Sequence, residues 1–459
     1  MPRLKTSTKF FHWVIGLSVT ALMIAGYWIS PSLTNRIELL LQDAHFHWRG
    51  PAKPGPEVVI AAIDEKSLDE LGRWPWPRVM LTRLVDKLVQ LDAKVIGFDV
   101  IFASPDESSG LRNLRKIREE AKADGLETPR LMSLLDRYIG ESDYDAQFAA
   151  ALRRSRRAVL GFFLHYTSAG LEHLQNEALQ ANLRSILSSR FRGFIKSSAD
   201  IDLASLGFRS AYTVESNIPI ISQSVRNAGH ISFDADPDGS LRKLPLIVKY
   251  HDEPTNRDYF FPPLSIPILE KFLRGTFLFR VNEFGIQKVL LDAAEPVEIP
   301  TNEKGELYIN FLGARGSFPY FSITDIIHDR EDLAPKKSFK DKIVLVGATA
   351  TALEDLRVTP FDPILPGVEI HATIIDNILR KNYLYQPDWI PAADSAYLLI
   401  LGFVLTFLFS RIKPLYAPLA SVAAAAAQFY VHHWIFINKG FWISNVFPLL
   451  ENVLILAGL

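Results

Sequence analysis

The sequence contains no cysteine, which excludes disulfide bonds, thiol nucleophiles and cysteine metal ligands. It also has no excess of charge of either sign, because its formal net charge at pH 7 is -1, and this gives no basis for nucleic-acid binding. Charged residues make up only 22% of the 459 residues, whereas 48% are hydrophobic, which is a high apolar share for a soluble protein. We therefore expect the apolar excess to be concentrated in membrane segments.

The first long apolar run covers residues 11–29 and contains no charged residue. Its length suits a bilayer core about 30 Å thick. Arg3, Lys5 and Lys9 precede it, and no cleavage pattern of small residues follows it. The sequence therefore predicts a cytoplasmic N-terminus over residues 1–10 and an uncleaved transmembrane helix over 11–29, with a cleaved signal peptide as the alternative.

Three more candidate spans lie close together near the other end, at residues 389–409, 415–437 and 441–459. Arg411 and Lys413 lie in the first connection, which places that loop in the cytoplasm, although Lys439 in the second connection argues weakly against this orientation. The predicted protein is thus multi-pass, with residues 30–388 outside the cytoplasm and membrane lipid around its helices.

Small residues recur at four-residue spacing in the segment APLASVAAAAAQ, which starts at Ala417 and includes Ser421. Such spacing lets helix backbones approach closely, so the segment predicts self-association as a homodimer. The alternative is that the same residues pack within one chain.

The exported segment has uniformly apolar runs of strand length: EVVIAAID ending at Asp64, AKVIGFDVIF around Asp99, AVLGFFL at 158–164 and KIVLVGATA at 342–350. Strands of this kind are buried on both faces, so we expect an α/β domain with a mainly parallel sheet flanked by helices. A helix is predicted over 367–380.

Two other stretches of the exported segment have their own patterns. Residues 105–141 are highly charged and helical in pattern, which indicates a surface excursion. Residues 228–250 predict two strands joined by a turn at Pro237, Asp238 and Gly239.

Ligands of parallel sheets usually bind outside the carboxyl ends of the strands. Asp64, Asp99 and Thr349 lie at such ends, and Trp74, Trp76 and Arg78 of the tryptophan turn (RWPWPR) would form the rim of the same ligand site. The alternative is structural: the aspartates cap helices, and the tryptophans form a rigid aromatic corner.

The sequence predicts no metal site and no catalytic group. DADPDG at 234–239 resembles the first half of a calcium loop, but Pro245 occupies the position of the required glutamate. His371 fits a hydrogen-bonded packing histidine on an amphipathic helix. Glu451 differs, because an ionisable group inside a predicted span is costly and marks a candidate for signalling.

Several ordered segments together resemble the type-two CHASE domain, a sensory extracellular domain associated with cyclases and histidine kinases. They are VVIAAIDEKSLDELGRWPWPR, AKVIGFDVIF, DPDGSLRKLPL, KIVLVGATATALEDLRVTPF and LPGVEIHATIIDNIL. The resemblance covers about residues 35 to 388 and excludes the charged stretch 105–141. It implies a sensor in a bacterial inner (plasma) membrane, with a periplasmic or extracellular domain, one helix before it and three after it. No ligand is general to the family.

The resemblance also implies a cytoplasmic output, and the three closely spaced spans ending in NKGFWISNVFPLL look most like the cyclase members. The resulting expectation is a receptor that responds to an extracytoplasmic ligand or protein and is not itself an enzyme. A removed or separately encoded class III adenylate or guanylate cyclase would carry the output, with Mg²⁺ or Mn²⁺ as the cofactor of that domain only. The alternatives are a histidine or serine/threonine kinase output, an extracytoplasmic carboxylate or metal enzyme using Asp64 and Asp99, and a membrane scaffold.

Overall fold

The structure is a computed structural model that describes residues 3–29, 35–169, 176–353, 355–387 and 389–459. Two compact units are present, each built from its own contacts. Met1–Pro51 and Tyr383–Leu459 form the helical unit, and Ala52–Asn382 form the α/β unit.

The helices are α1 (Arg3–Ile29), α2 (Asn35–Arg49), α3 (Glu65–Leu71), α4 (Arg78–Gln90), α5 (Leu111–Ala123), α6 (Pro129–Ser142), α7 (Tyr144–Ser155), α8 (Asn176–Ile186), α9 (Pro219–Ser222), α10 (Ser265–Leu273), α11 (Ile323–Ile327), α12 (Gly367–Leu379), α13 (Ile390–Phe409), α14 (Ala417–Lys439) and α15 (Val446–Gly458).

The strands are β1 (Val58–Ile63), β2 (Val95–Asp99), β3 (Ala158–His165), β4 (Phe194–Lys196), β5 (Arg209–Ala211), β6 (Thr213–Glu215), β7 (Ala228–His230), β8 (Lys243–Pro245), β9 (Val248–Asp252), β10 (Arg257–Phe261), β11 (Thr276–Asn282), β12 (Gly285–Asp292), β13 (Val297–Pro300), β14 (Glu306–Tyr308), β15 (Tyr320–Ser322), β16 (Ile343–Ala348), β17 (Leu356–Arg357) and β18 (Leu365–Pro366).

The α/β unit is organised around a central sheet in the order β15-β1-β16-β2-β3, with β7 parallel to the first half of β3. Every pairing along this order is parallel, and β6, antiparallel to the second half of β3, is the exception. The four apolar runs found in the sequence became β1, β2, β3 and β16. The expectation of a mainly parallel sheet in an α/β domain is therefore confirmed.

Helices cover both faces of the central sheet. On one face, Val59, Ala61 and Phe98 share a buried core with apolar residues of α4 and α7. On the other face, α10 and α12 come so close that a Cβ on Gly97 would meet Ile268, and a Cβ on Gly347 would meet Val368. Burial on both faces explains why these strands are uniformly apolar.

Smaller sheets complete the α/β unit: β4-β11-β12-β13, β5-β9-β10, β8-β14 and β17-β18. The charged stretch 105–141 contains the helices α5 and α6, whose side chains are mostly exposed, as the sequence predicts for a surface excursion.

The expected pairing of the strands around residue 237 is wrong. The turn itself is present, with Gly239 at φ 86° and its N–H bonded to the carbonyl of Asp236 at 2.8 Å. However, β7 pairs with β3, and β8 pairs with β14. Turn residues specify a local reversal, but partner choice here depends on strands far away in the chain.

In the helical unit, two of the described helices are long and apolar enough to cross a membrane, at Phe10–Ile29 and Ile390–Phe409. They correspond to the first and second predicted spans. The third predicted span is α14, which does not reach the same apolarity, and the fourth is α15, which has only 13 residues because its helix begins at Val446 rather than at Phe441. Among the described residues there are thus two candidate spanning helices, and the prediction of four spans is not confirmed.

Candidate functional site

The register of the central sheet brings three predicted site residues to one edge. Asp99 lies opposite Gly347 in the β2–β16 ladder, and the β1–β16 ladder ends one residue before both Asp64 and Thr349. We call this the carboxyl edge, since the parallel strands β1, β2 and β16 all end there.

Asp64 at the carboxyl edge is a helix cap. Its side chain accepts hydrogen bonds from the backbone N–H of Ser67 at 2.9 Å and from the hydroxyl of Ser322 at 2.8 Å. Ser67 lies in the first turn of α3, so the carboxylate satisfies a free N–H group of that helix. Asp64 therefore caps a helix, which is the structural alternative to a ligand-binding role.

Thr349 is fully buried in the connection after β16. Its backbone N–H donates to the carbonyl of Ile63 at 3.0 Å, and its own carbonyl accepts from Nη2 of Arg315 at 2.7 Å. These contacts hold the loop against β1, so Thr349 contributes its backbone rather than an exposed hydroxyl.

The tryptophan turn is a packed corner. Trp76 is only 1% exposed, and its indole Nε1–H donates to the carbonyl of Gly72 at 2.7 Å. The half-buried Trp74 meets it edge to face, with ring centroids 5.2 Å apart. Trp76 belongs to the main core with α4 residues, so its ring cannot line an open site in this conformation.

Arg78 fastens the start of α4 to the segment after β2. Its guanidinium donates to the carbonyl of Ser104 at 3.2 Å, lies 3.6 Å from the carboxylate of Asp145, and stacks 4.7 Å from the ring centroid of Phe102. Its backbone N–H donates to Asp106 at 2.6 Å. Burial lowers the pKa of Arg78 and raises the pKa of Asp145, and their mutual attraction opposes both shifts.

A hollow of about 750 Å³ lies beside this Arg78 cluster. Asp106 and Asp145 are part of its wall, together with α5 residues such as Arg112 and the apolar Ile218 and Ile220. Its volume lies within the range of small-molecule sites, and it opens to solvent near the predicted rim. Arg78 thus lies behind the wall of a hollow instead of on a ligand rim.

Asp99 is buried beside charged residues that the sequence did not single out. Its Oδ2 has no hydrogen-bond partner among the described residues. Burial raises the pKa of Asp99 well above its usual range, the carboxylate of Asp355 adds to the rise, and Arg357 opposes it. Burial also raises the pKa of Asp355, to about 6, despite Arg357, whose Nη2 lies 3.4 Å from it. The two carboxylates therefore keep a proton to a higher pH than exposed aspartates do.

An aromatic stack continues from this charged pair. The guanidinium of Arg357 lies 5.7 Å from the ring centroid of Phe233, which in turn lies 5.0 Å from that of His371. His371 is fully buried, and burial lowers its pKa to about 3, with His230 adding to the effect. The expected packing role of His371 matches its burial, but neither ring nitrogen has a hydrogen-bond partner in the described part of the chain.

Asp355 and Arg357 are the functional candidates that sequence reasoning missed. Both lie in the connection that follows β16, which is the position where ligand-contacting residues of a parallel sheet are usually found. The signal in the sequence that could have identified them is their place directly after the predicted strand at 342–350.

Glu451 lies inside the helical unit and is fully buried. Its Oε1 accepts a hydrogen bond from the hydroxyl of Thr20 on α1 at 2.7 Å, while Oε2 has no partner among the described residues. A Cβ on Gly402 of α13 would collide with both side chains. As expected from sequence, this ionisable residue faces other helices, here at the meeting point of α1, α13 and α15.

The described residues contain no group of three or more histidines and acidic residues able to hold a metal ion. The acidic side chains of the DADPDG segment have a different role: Asp236 and Asp238 bind the buried guanidinium of Arg242 at 3.1 and 2.8 Å. At the carboxyl edge, Asp64 caps a helix, Thr349 is held through its backbone, and Asp99 is buried beside Asp355. The described contacts of this edge do not pair a nucleophile with a base.

Comparison with known proteins gives one positive result. The family model described as CHASE2 domain matches residues 16–409. No curated protein and no solved structure matches the chain significantly.

Proposed function

This chain belongs to the CHASE2 domain family, a family of sensory extracellular domains, and on that premise we propose that it is a membrane-anchored receptor for an extracytoplasmic stimulus. One observation carries the proposal. The match to the family model starts within α1 and ends with the last residue of α13, so it includes both candidate spanning helices and the α/β unit between them in the chain.

The proposed topology is that of an inner-membrane protein with residues 30–388 outside and residues 410–414 in the cytoplasm. Arg411 and Lys413 support this orientation, because positively charged short loops stay on the cytoplasmic side. The remaining helices, α14 and α15, complete a membrane bundle of four helices in this proposal. Buried polar contacts within the unit support that arrangement, such as Ser421 of α14 bonded to Asn452 of α15 at 3.0 Å.

The proposed stimulus site is the hollow beside Arg78. A ligand there would touch Asp106 and Asp145, both of which are bonded to Arg78 or lie against it. A displaced Asp106 would release the backbone N–H that starts α4. The tryptophan turn then acts as the fixed corner against which α4 moves, which gives Trp74 and Trp76 a role in transmission instead of binding.

The proposed output is a class III adenylate or guanylate cyclase, with a histidine or serine/threonine kinase as the second choice. This output rests on the likeness of the terminal helices to those of cyclase members. Divalent Mg²⁺ or Mn²⁺ would belong to that catalytic domain. Within the chain, rearrangement of α1, α13 and α15 would carry the signal, and Glu451 at their meeting point is the residue most sensitive to it.

The extracytoplasmic enzyme is the competing function, and the contacts of its two aspartates argue against it. Asp64 is engaged by Ser67 and Ser322, and Asp99 is 5% exposed within the sheet edge. Neither carboxylate reaches the open hollow. A scaffold without any ligand is the other alternative.

The experiment is a ligand screen on the full chain purified in detergent. A panel of small solutes is tested for an increase in melting temperature, since a ligand that binds only the folded state stabilises it by mass action. The receptor proposal expects at least one solute with a saturable shift. The Ile220→Trp substitution should reduce or abolish that shift because its larger ring occupies part of the hollow where a ligand would contact Ile220. Ile117→Trp, at an exposed position of α5 outside the hollow, should leave the shift unchanged.

Three outcomes would contradict the proposal. A solute that the chain converts into product would support the enzyme instead. The absence of any shift would support the scaffold, and a shift that survives Ile220→Trp would move the stimulus site elsewhere.

A further inference from the structure

A second hollow lies on the opposite edge of the central sheet, where α7 ends and β3 begins. It has a volume of about 520 Å³, which is within the range of sites for small molecules. Leu152 and Ala158 at its base are 1% and 3% exposed, so it has an apolar floor. We call it the basic pocket because of the side chains around that floor.

The basic pocket is lined by four cationic side chains and no acidic one. The cations are those of Arg153, Arg156, Arg226 and Lys271. Ion pairs with carboxylates are common elsewhere on this surface, but none of the four takes part in one within the described part of the chain. The adjacent Arg154 provides a contrast: it points away from the pocket and pairs with Asp86 at 3.3 Å.

One of these cations, the ammonium of Lys271, is bonded to the backbone at the end of α7. Arg156 ends α7 in a left-handed conformation with φ 53°, and its carbonyl accepts a hydrogen bond from Nζ of Lys271 at 2.8 Å. The ammonium of Lys271 is thereby bonded to the backbone at the pocket wall. Burial lowers the pKa of Lys271, and the nearby charge of Arg226 lowers it further.

Most charged surface patches are solvated and carry both signs of charge. A neighbouring hollow of about 480 Å³ has such a mixed wall. It is lined by Lys94, Arg157, Arg274 and Lys340, but Asp92 and Asp341 share its wall and balance part of the charge. The basic pocket has no acidic side chain in its wall, combines its cations with a concave apolar floor, and bonds the ammonium of Lys271 to its wall. These features together create a site whose unbalanced charge favours an anion.

We propose that the basic pocket binds a small oxyanion group carrying two or more negative charges, of the phosphate class. Guanidinium and ammonium groups provide several N–H donors for such oxygens, and the dianion would offset the repulsion among the four cations. The phosphate group can belong to a soluble molecule or to a lipid headgroup, since the chemistry recognised is the same. This inference does not depend on the receptor proposal, because it concerns a different edge of the sheet and a different chemistry from the hollow beside Arg78.

The test measures binding to the full chain at low ionic strength. Inorganic phosphate is titrated calorimetrically into the detergent-solubilised chain. In a second arm, binding of the detergent-solubilised chain to vesicles of phosphatidylcholine with phosphatidic acid is compared with its binding to vesicles of phosphatidylcholine alone. The pocket faces the solution that contains the vesicles. The double variant Arg153→Gln/Arg226→Gln should weaken binding at least about tenfold in the responding arm, while Arg154→Gln should change it by less than about twofold. Added salt should weaken binding in either arm.

Each outcome decides the proposal. Phosphate binding that is lost in the double variant supports a soluble ligand, and binding only to phosphatidic acid vesicles with the same loss supports a lipid headgroup. Arg153 and Arg226 are exposed, so the double variant should retain its melting temperature. If it does not, Arg226→Gln alone, which should weaken binding about threefold or more, takes its place. Absence of binding in both arms, or binding equal in the wild type and the substituted chain, would overturn the proposal.

Discussion

At the scale of single residues, Trp76 decides between the two interpretations of the tryptophan turn. Its ring is buried in the core of the α/β unit and its N–H is satisfied by Gly72. Tryptophan is suited to such a corner because it combines a large apolar surface with one polar hydrogen that needs a partner. The tryptophan turn therefore stabilises the fold, and the nearby hollow is lined by other residues, such as Asp106 and Asp145.

Replacing Trp76 should show the energetic consequence. Trp76→Ala removes a buried ring that the surrounding residues cannot fully replace, so the free energy of unfolding should fall by about 3–5 kcal/mol. Trp74→Ala, at the half-buried partner ring, should lower it by less. Denaturant unfolding followed by fluorescence measures both variants. A loss below about 1 kcal/mol for Trp76→Ala, combined with loss of ligand response, would instead favour a binding role.

Asp355 should make the stability of the protein depend on pH. Its pKa is raised from 3.8 to about 6 in the folded chain. Between these values the unfolded chain releases the proton while the folded chain keeps it, so the free energy of unfolding falls as the pH rises through this window and stays lower above it.

The Asp355→Asn variant cannot ionise and should lose this dependence. Below pH 4 its melting temperature should equal that of the wild type, and well above pH 6 it should exceed it by the equivalent of about 3 kcal/mol. Asp69→Asn, at an exposed carboxylate of α3, is the matched control, and its melting temperature should equal that of the wild type in both pH ranges. Identical pH profiles for wild type and Asp355→Asn would contradict the raised pKa.

At the scale of elements, the start of α4 depends on a buried ion pair. The side chains of Arg78 and Asp145 are only 7% and 10% exposed. Removing one member of a buried pair leaves the other charge without compensation, which is more costly than losing a surface pair.

A double-mutant cycle should therefore reveal strong coupling. Arg78→Met and Asp145→Asn should each lower the free energy of unfolding by about 2–4 kcal/mol, and the double variant should lose clearly less than the sum. The exposed pair Arg115 and Asp143, with Arg115 57% exposed, provides the control, for which the coupling should be below about 1 kcal/mol. Additive losses for the Arg78 pair would show that the two residues act independently.

The elements of the α/β unit were predictable where burial alone determines them. Uniform apolar runs identified β1, β2, β3 and β16, because a strand covered on both faces has no polar positions. The insertion of β16 between β1 and β2 was not predictable, since strand order depends on contacts between residues nearly 300 positions apart, such as Val58 with Ile343. The same limit explains the wrong pairing around Gly239.

The candidate site was predictable in part. The carboxyl edge was identified because strand ends are visible in the sequence, and the register joined Asp64, Asp99 and Thr349 there. The hydrogen bonds of these residues could not be predicted, because their partners belong to other strands. Ser322 of β15 donates to Asp64, and the carbonyl of Ile63 in β1 accepts from the N–H of Thr349. Asp355 lies close to Asp99 only through the path of the connection after β16.

At the scale of the whole molecule, the homodimer stays a prediction, and one outward face of α14 is where we propose that it would form. Ser421 is turned inward and bonded to Asn452, so this member of the small-residue pattern packs within one chain. Ala423 and Ala427, also four residues apart, are exposed. A second copy would use this outward face.

Crosslinking tests this assignment cleanly because the chain has no native cysteine. Single cysteines at Ala423 and Ala427 should form disulfide-linked dimers in membranes, and a cysteine at Ser421 should not. Equal crosslinking at all three positions would indicate random collision, and none at either alanine would remove the dimer through this helix.

Labelling single cysteines in intact spheroplasts with a membrane-impermeant maleimide tests whether the α/β unit lies outside the cytoplasm and is anchored by membrane helices. Glu127→Cys places a thiol on the exposed surface of the α/β unit, and Lys413→Cys places one in the connection between α13 and α14. We expect position 127 to be labelled in intact spheroplasts and position 413 to be labelled only after lysis. Labelling of position 413 in intact spheroplasts with protection of position 127 would contradict this topology.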